Sequence, residues 1–153
     1  MRREIALLVA AAGLACGGAE ETPEAAVRRT LAAIEAAAEE KDAGAIAEHV
    51  SAAYADPQGN DRDAVRRLAA LHLLRNQRVH TFVRVRELAI PEPGRAETDL
   101  LVAMAGAEIP DAEVLARLRA DLYRFSVSLA EEEPGVWRVT SARWQPARRD
   151  DFL

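Results

Sequence analysis

The chain is poor in the residues that most often announce a function. It has one cysteine, Cys16, so no disulfide can close within it and the fold must stand on its core. Histidine occurs at His49, His72 and His80 only, with spacings that match no zinc pattern and no second cysteine to complete one. Lys41 is the sole lysine; arginine and alanine are abundant instead, a bias that fits a GC-rich coding sequence and carries no functional message. No basic cluster is interleaved with aromatics, and the 153 residues have a net charge of −5, so phosphate-backbone binding has no footing. A nucleophile elbow, a phosphate-cradling glycine loop and a dinucleotide fingerprint are all missing. The longest apolar run, Ile5 to Ala12, falls far short of the ~20 residues that a membrane-spanning helix needs. Nucleic-acid binding, serine-hydrolase chemistry on a nucleophile elbow and dinucleotide binding are thereby left without support.

What is present begins at the N-terminus. Arg2 and Arg3 precede the apolar run, and the small residues Gly13 and Ala15 follow it. A positive start, a short apolar core and small residues at a cut point make residues 1–15 a secretory signal. Gly13-Leu14-Ala15-Cys16 resembles a bacterial lipobox, with Leu14 one place later than usual. That resemblance implies a lipidated (palmitate-bearing) Cys16 as the new N-terminus. Gly17 after it, rather than Asp, implies the outer membrane, facing the periplasm. The rival reading is an ordinary secretory cut after Ala15. A cysteine without a partner in an oxidising compartment favours lipidation. Residues 16–21 would then be a tether with a reach of roughly 12 Å, holding the domain close to the membrane. Loss of Arg2, Arg3 and Glu4 with the signal leaves a mature net charge of −6.

The mature chain has the size of one domain. Thr22-Pro23-Glu24 starts a helix, and Val27, Leu31, Ile34 and Ala38 form its apolar stripe to about Lys41. Asp42-Ala43-Gly44 breaks that helix and caps a second, with Ile46 and Val50 facing inward. Turn formers crowd residues 54–60, and Asp61 caps a third helix bearing Val65, Leu68, Leu71 or His72, and Arg75 on one side. From Val79 the period changes to two. Val79, Thr81, Val83 and Val85 alternate along a first strand, and Thr98, Leu100, Val102 and Met104 along a second. After a loop with one short helix, Tyr123, Phe125, Val127 and Leu129 mark a third strand, and Val136 to Trp144 is the fourth. Three helices followed by four antiparallel strands predict an α+β domain over residues 22–147, helices against one side of a bent sheet. Residues 148–153 are a charged tail expected to fray.

These elements resemble the NTF2-like (SnoaL-like) superfamily, in which a helical layer folds onto a strongly bent sheet to make a cone. The resemblance rests on the helix end Glu39-Glu-Lys-Asp42, on Ala45-Ile-Ala-Glu-His-Val-Ser51, on Tyr54 with the Asp56/Gly59 turn, and on the closing strand Val136-Trp-Arg-Val-Thr-Ser-Ala-Arg-Trp144. The whole chain is most similar to small proteobacterial lipoproteins of this class. The superfamily includes isomerases, cyclases, epoxide hydrolases, transport factors and secretion accessory domains, so the resemblance implies a fold and no single function.

Within that fold the site candidates are Tyr54, His72, Asp121 and Tyr123. Asp121 and Tyr123 lie two apart on a strand and leave the same face. Pointing into a cone, they would act as general base and oxyanion donor, as ketosteroid-isomerase-like members arrange them. No position matches such a catalytic motif residue by residue, and Arg119, Arg124 and Arg143 are expected to hold Asp121 ionised at the rim. His72 falls on the apolar side of its helix, within reach of the cone or as a hydrogen-bonded part of the core. The Asp56–Asp63 loop is dense in oxygen ligands but lacks EF-hand spacing, so turn and cap roles explain it. No cofactor and no metal are expected. Trp137 and Trp144 fall on opposite sides of a regular last strand, so one would face a surface where this fold forms homodimers through the sheet. The reading favoured overall is a non-catalytic, membrane-anchored envelope module that binds a protein partner or a small apolar ligand. The alternative is a cone-pocket isomerase, cyclase or hydrolase using Asp121 and Tyr123.

Overall fold

The structure, a computed structural model, describes residues 20–153. The expected signal at 1–15, Cys16 and most of the tether lie outside the described residues. Helix α1 (Pro23–Glu39) starts where Thr22 accepts a hydrogen bond from the Ala25 amide and Pro23 takes the first helical position. It ends at Lys41, whose φ of 59° is the left-handed conformation of a helix stop, with the Asp42 amide donating back to the Ala37 carbonyl. Asp42 caps α2 (Ala43–Glu48) and Asp61 caps α3 (Arg62–Leu74), each accepting from the amide three residues on. A short polar side chain thus closes the N-terminus of each of these three helices, Thr22 for the first and an aspartate for the other two, as the sequence spacing predicts.

Strands β1 (His80–Glu92), β2 (Arg95–Ala105), β3 (Ala120–Glu133) and β4 (Val136–Pro146) form one antiparallel sheet in sequential order. The short helix α4 (Ala112–Leu115) sits in the loop between β2 and β3, held by Asp111 as N-cap. Helices α1–α3 cover one face, and the main core lies between them: Val27, Val50, Tyr54, Leu100, Val127, Leu129 and Trp137 are buried there. The expected α+β cone is present.

The sheet departs from regular alternation at four places; two lie beside the hairpin turns, and the other two reset the faces of the edge strands. Val85 pairs with Leu100 but Glu87 pairs with Asp99, so Arg86 is an extra residue in β1. Ser141 pairs with Ser128 but Val139 pairs with Leu129, so Thr140 is an extra residue in β4. Each bulge bends its strand and resets which residues face inward. Leu88 and Ile90 therefore stay with Val83 and Val85 in the core. On β4 the reset brings Trp144 to the same side as Trp137, with Val139 and Ala142 between them. The expectation that one tryptophan faces away is corrected: it assumed a regular strand.

The opposite, convex face has its own core. Leu101, Ala103 and Ala105 of β2, with Phe82 of β1, meet Ile109 and Leu115 from the loop and Phe152 from the C-terminal segment. That segment does not fray. Residues Arg149–Phe152 form a turn of 3-10 helix, and Phe152 is 1% exposed. Arg84 donates to the Phe152 carbonyl at 2.6 Å, and Arg149 donates to the carbonyls of Leu115, Ala116 and Leu118. The correction has a simple cause: the charged residues around Phe152 act as hydrogen-bond straps, and the phenyl ring fills the hollow beside Leu101.

Candidate functional site

The cone encloses an open cavity of about 460 Å3 between the helices and the concave face of the sheet. Its wall is built by the stripes that the sequence periodicities define. Helix α1 gives Leu31, Ile34 and Ala38, the sheet gives Val83, Leu100, Val102, Phe125 and Val127, and Trp144 closes one end. The volume lies within the roughly 300–1,000 Å3 of small-molecule sites, and the lining is apolar apart from a few side chains. Strand curvature keeps the cavity open: the bulged edge strands β1 and β4 approach α1, while β2 and β3 stand farther back from the helices.

Two of the four candidates meet inside it. His72 from α3 and Tyr123 from β3 both line the cavity, with their rings edge to face and centroids 6.1 Å apart. His72 Nε2 is buried and has no hydrogen-bond partner among the described residues. The carboxylate nearest to it is Asp121, with Oδ2 at 3.9 Å, too far for a hydrogen bond. Asp121 itself stands at the rim with its side chain 58% exposed. That placement agrees with expectation, but the expected arginine pairing is corrected. Arg124, three residues along the strand, points to the convex face and pairs with Asp151 at 3.6 Å. Arg143 pairs in register with Ser126, and β4 ends opposite Tyr123, before it reaches Asp121.

Tyr54 lines the base of the cavity with its ring, but its hydroxyl is committed elsewhere. It donates to Asp56 Oδ2 at 3.0 Å, and burial first, then the Asp56 carboxylate, raises its pKa. Asp56 accepts four hydrogen bonds, from Tyr54, from the Gln58 amide and from the amide and side chain of Asn60. Burial opposes its charge, yet those donors, Asn60 above all, hold its carboxyl below the usual range. The oxygen-rich loop is therefore a turn closed on its own acid.

A polar member of the wall escaped the sequence reading. Glu35 lies half-buried on the cavity side of α1, one place after Ile34. Burial raises its pKa, a hydrogen bond from Thr81 opposes the shift and the nearby Glu39 adds to it. Thr81 Oγ1 lies 3.1 Å from Glu35 Oε1 and 2.8 Å from Glu39 Oε1. The signal was available: Leu31, Ile34, Glu35 and Ala38 fall at i, i+3, i+4 and i+7, so an acid occupies an apolar-stripe position.

No family model and no curated protein sequence matches the chain. Solved structures do. A Novosphingobium aromaticivorans protein provisionally named a scytalone dehydratase superimposes with a TM-score of 0.63 at 10% identity, over 80% of this chain and 83% of that one. The fold is the NTF2-like cone. A ketosteroid isomerase-like protein from Erwinia carotovora atroseptica matches this chain with a TM-score of 0.60 at 11% identity, over 81% and 95% of the two chains. A Thiobacillus denitrificans domain provisionally named a calcium/calmodulin-dependent protein kinase type II association domain gives 0.61 at 17%, over 83% and 96%. The same NTF2-like frame thus carries proteins named for catalysis and proteins named for assembly, and identities this low carry the fold alone.

Proposed function

We propose that this NTF2-like protein is a non-catalytic binding module of the cell envelope, anchored through Cys16, that takes a small and mostly apolar molecule into its cone. The observation that carries the reading is the open cavity walled by Leu31, Ile34, Val102, Phe125 and Trp144. Such a wall binds by removing apolar surface from water, and the few polar groups orient the guest. His72 Nε2, buried without a partner, is the group that gains most from a ligand oxygen or N–H at that end.

A rival, catalytic reading has one observation in its favour: His72, Asp121 and Tyr123 lie near one another. Against it, Asp121 is exposed to water and makes no hydrogen bond to His72, so neither desolvation nor a proton path readies it as a base.

Trp144 fluorescence tests the binding reading. Titration with apolar probes such as long-chain fatty acids or polycyclic alcohols is expected to give a saturable change. Trp144→Phe should abolish the signal, and Val102→Phe, which fills the cavity, should weaken binding about tenfold or more. No saturable change with any apolar probe would overturn the reading. So would isomerase or dehydratase turnover that Asp121→Asn abolishes with the fold intact.

A further inference from the structure

Helix α3 carries a surface that the fold itself does not use. Leu68, Leu71 and Leu74 recur every three residues and are 43%, 57% and 75% exposed, on a helix whose one buried residue is Leu73. A lone exposed leucine is ordinary, but three in succession along one helix form a patch. Arginines surround them. Arg62, Arg66, Arg67, Arg75 and Arg78 stand on or just after α3 against two acids, Asp61 at its N-cap and Asp63 in its first turn, in a chain whose net charge is −5. Of these, Arg66, Arg67, Arg75 and Arg78 are exposed. Five of the chain's 20 basic residues thus stand on one short stretch beside its exposed leucines.

We propose that α3 is an interfacial helix that docks on an anionic phospholipid surface and turns the mouth of the cone toward the lipid. Charge complementarity selects this occupant. Leucines gain by entering the acyl boundary while neighbouring arginines meet headgroup phosphates, and the two contributions reinforce each other on one helix. The acidic remainder of the chain is repelled by the same surface, which fixes the orientation. A second copy of the chain is a poorer partner, since a two-fold contact through α3 would bring like-charged Arg67 and Arg75 toward their own copies.

The position of α3 gives docking a consequence. The helix packs on α2, and the cavity lies between it and the sheet. Leu68, Leu71 and Arg75 belong both to the exposed strip and to the cavity wall. A bilayer seated on α3 therefore covers the apolar rim of the mouth, and an amphiphile can pass between membrane and cone without its chain crossing water. The docking surface does not depend on the cavity being filled, so the two readings are tested separately.

The test uses the full chain with Cys16→Ser, which removes both the lipid attachment point and the only native thiol. An environment-sensitive fluorophore is placed at Leu74→Cys, or at Glu113→Cys on α4 as a control. With vesicles of phosphatidylcholine and phosphatidylglycerol, the probe at position 74 should shift to the blue and be quenched by spin-labelled lipid. The probe at 113 should not respond, whatever the N-terminal residues do. The pair Arg66→Glu and Arg67→Glu should weaken the response at least about fivefold, and high salt should do likewise in the unaltered helix, which keeps the test valid if the double variant folds poorly. No shift at 74, an equal shift at 113, or an equal response to phosphatidylcholine alone would overturn the proposal. A shift at 74 that grows with protein concentration in the absence of vesicles would overturn it in favour of self-association.

Discussion

Glu35 is an acid on a mostly apolar wall, and its titration has a definite sign. Because burial raises its folded pKa, the protonated form favours the fold. That contribution is fully present below the ordinary glutamate range and is lost as pH rises through the folded pKa. Glu35→Gln should therefore raise the melting temperature at neutral pH, by about a degree or two, and make no difference well below pH ~4. Thermal melts of both proteins across that range check it. Asp56 behaves oppositely: its depressed pKa gives stability above the unfolded value that is lost as pH falls through the folded one. Asp56→Ala strips four donors of their acceptor and should cost about 2 kcal/mol in chemical denaturation. Both roles were partly legible. The turn chemistry of Asp56 follows from its neighbours Pro57, Gly59 and Asn60, whereas Glu35 is masked because the apolar residues Leu31, Ile34 and Ala38 define the stripe by themselves and leave its i+4 position unmarked.

At the scale of elements, local patterns named the α-helices and the four strands, but not the 3-10 turn Arg149–Phe152 or the points where the strands bend. An alternation of apolar and polar residues fixes which side chains share a face only until a bulge intervenes, and Arg86 and Thr140 carry no mark that distinguishes them from their neighbours. Nor does a one-sided sheet give Leu101 and Ala103 a partner; the C-terminal segment that covers them reads locally as a charged tail, because only Phe152 in it is apolar and inward-facing. The strap is testable. Phe152→Ala removes a ring that is 1% exposed and should cost about 3 kcal/mol, with the convex-face amides of β2 losing hydrogen-exchange protection. Arg149→Ala should cost less, because its partners are carbonyls near the surface that water can serve.

For the whole molecule, the cone supplies the cavity, and the proposed anchor at Cys16 would supply the address. Cys16→Ser is expected to move the protein from the membrane fraction to a soluble or unprocessed pool, read by cell fractionation and by the mass of the mature N-terminus. Wild-type protein that is already soluble and carries no acyl mass would refute the anchor. The fold was legible because its signals are periodic and local; the cavity's volume was not, since it depends on how far the sheet curves away from α3. That curvature can be restated as a matter of insertion and deletion. Arg86 and Thr140 are the positions at which one codon can be removed while every residue on either side keeps its face. A chain shortened at both would retain its entire hydrophobic pattern yet have a flatter sheet with a narrower space beneath it. Single-codon length variation at these two sites is therefore a route by which chains of this pattern could gain or lose a pocket without a single substitution in its lining.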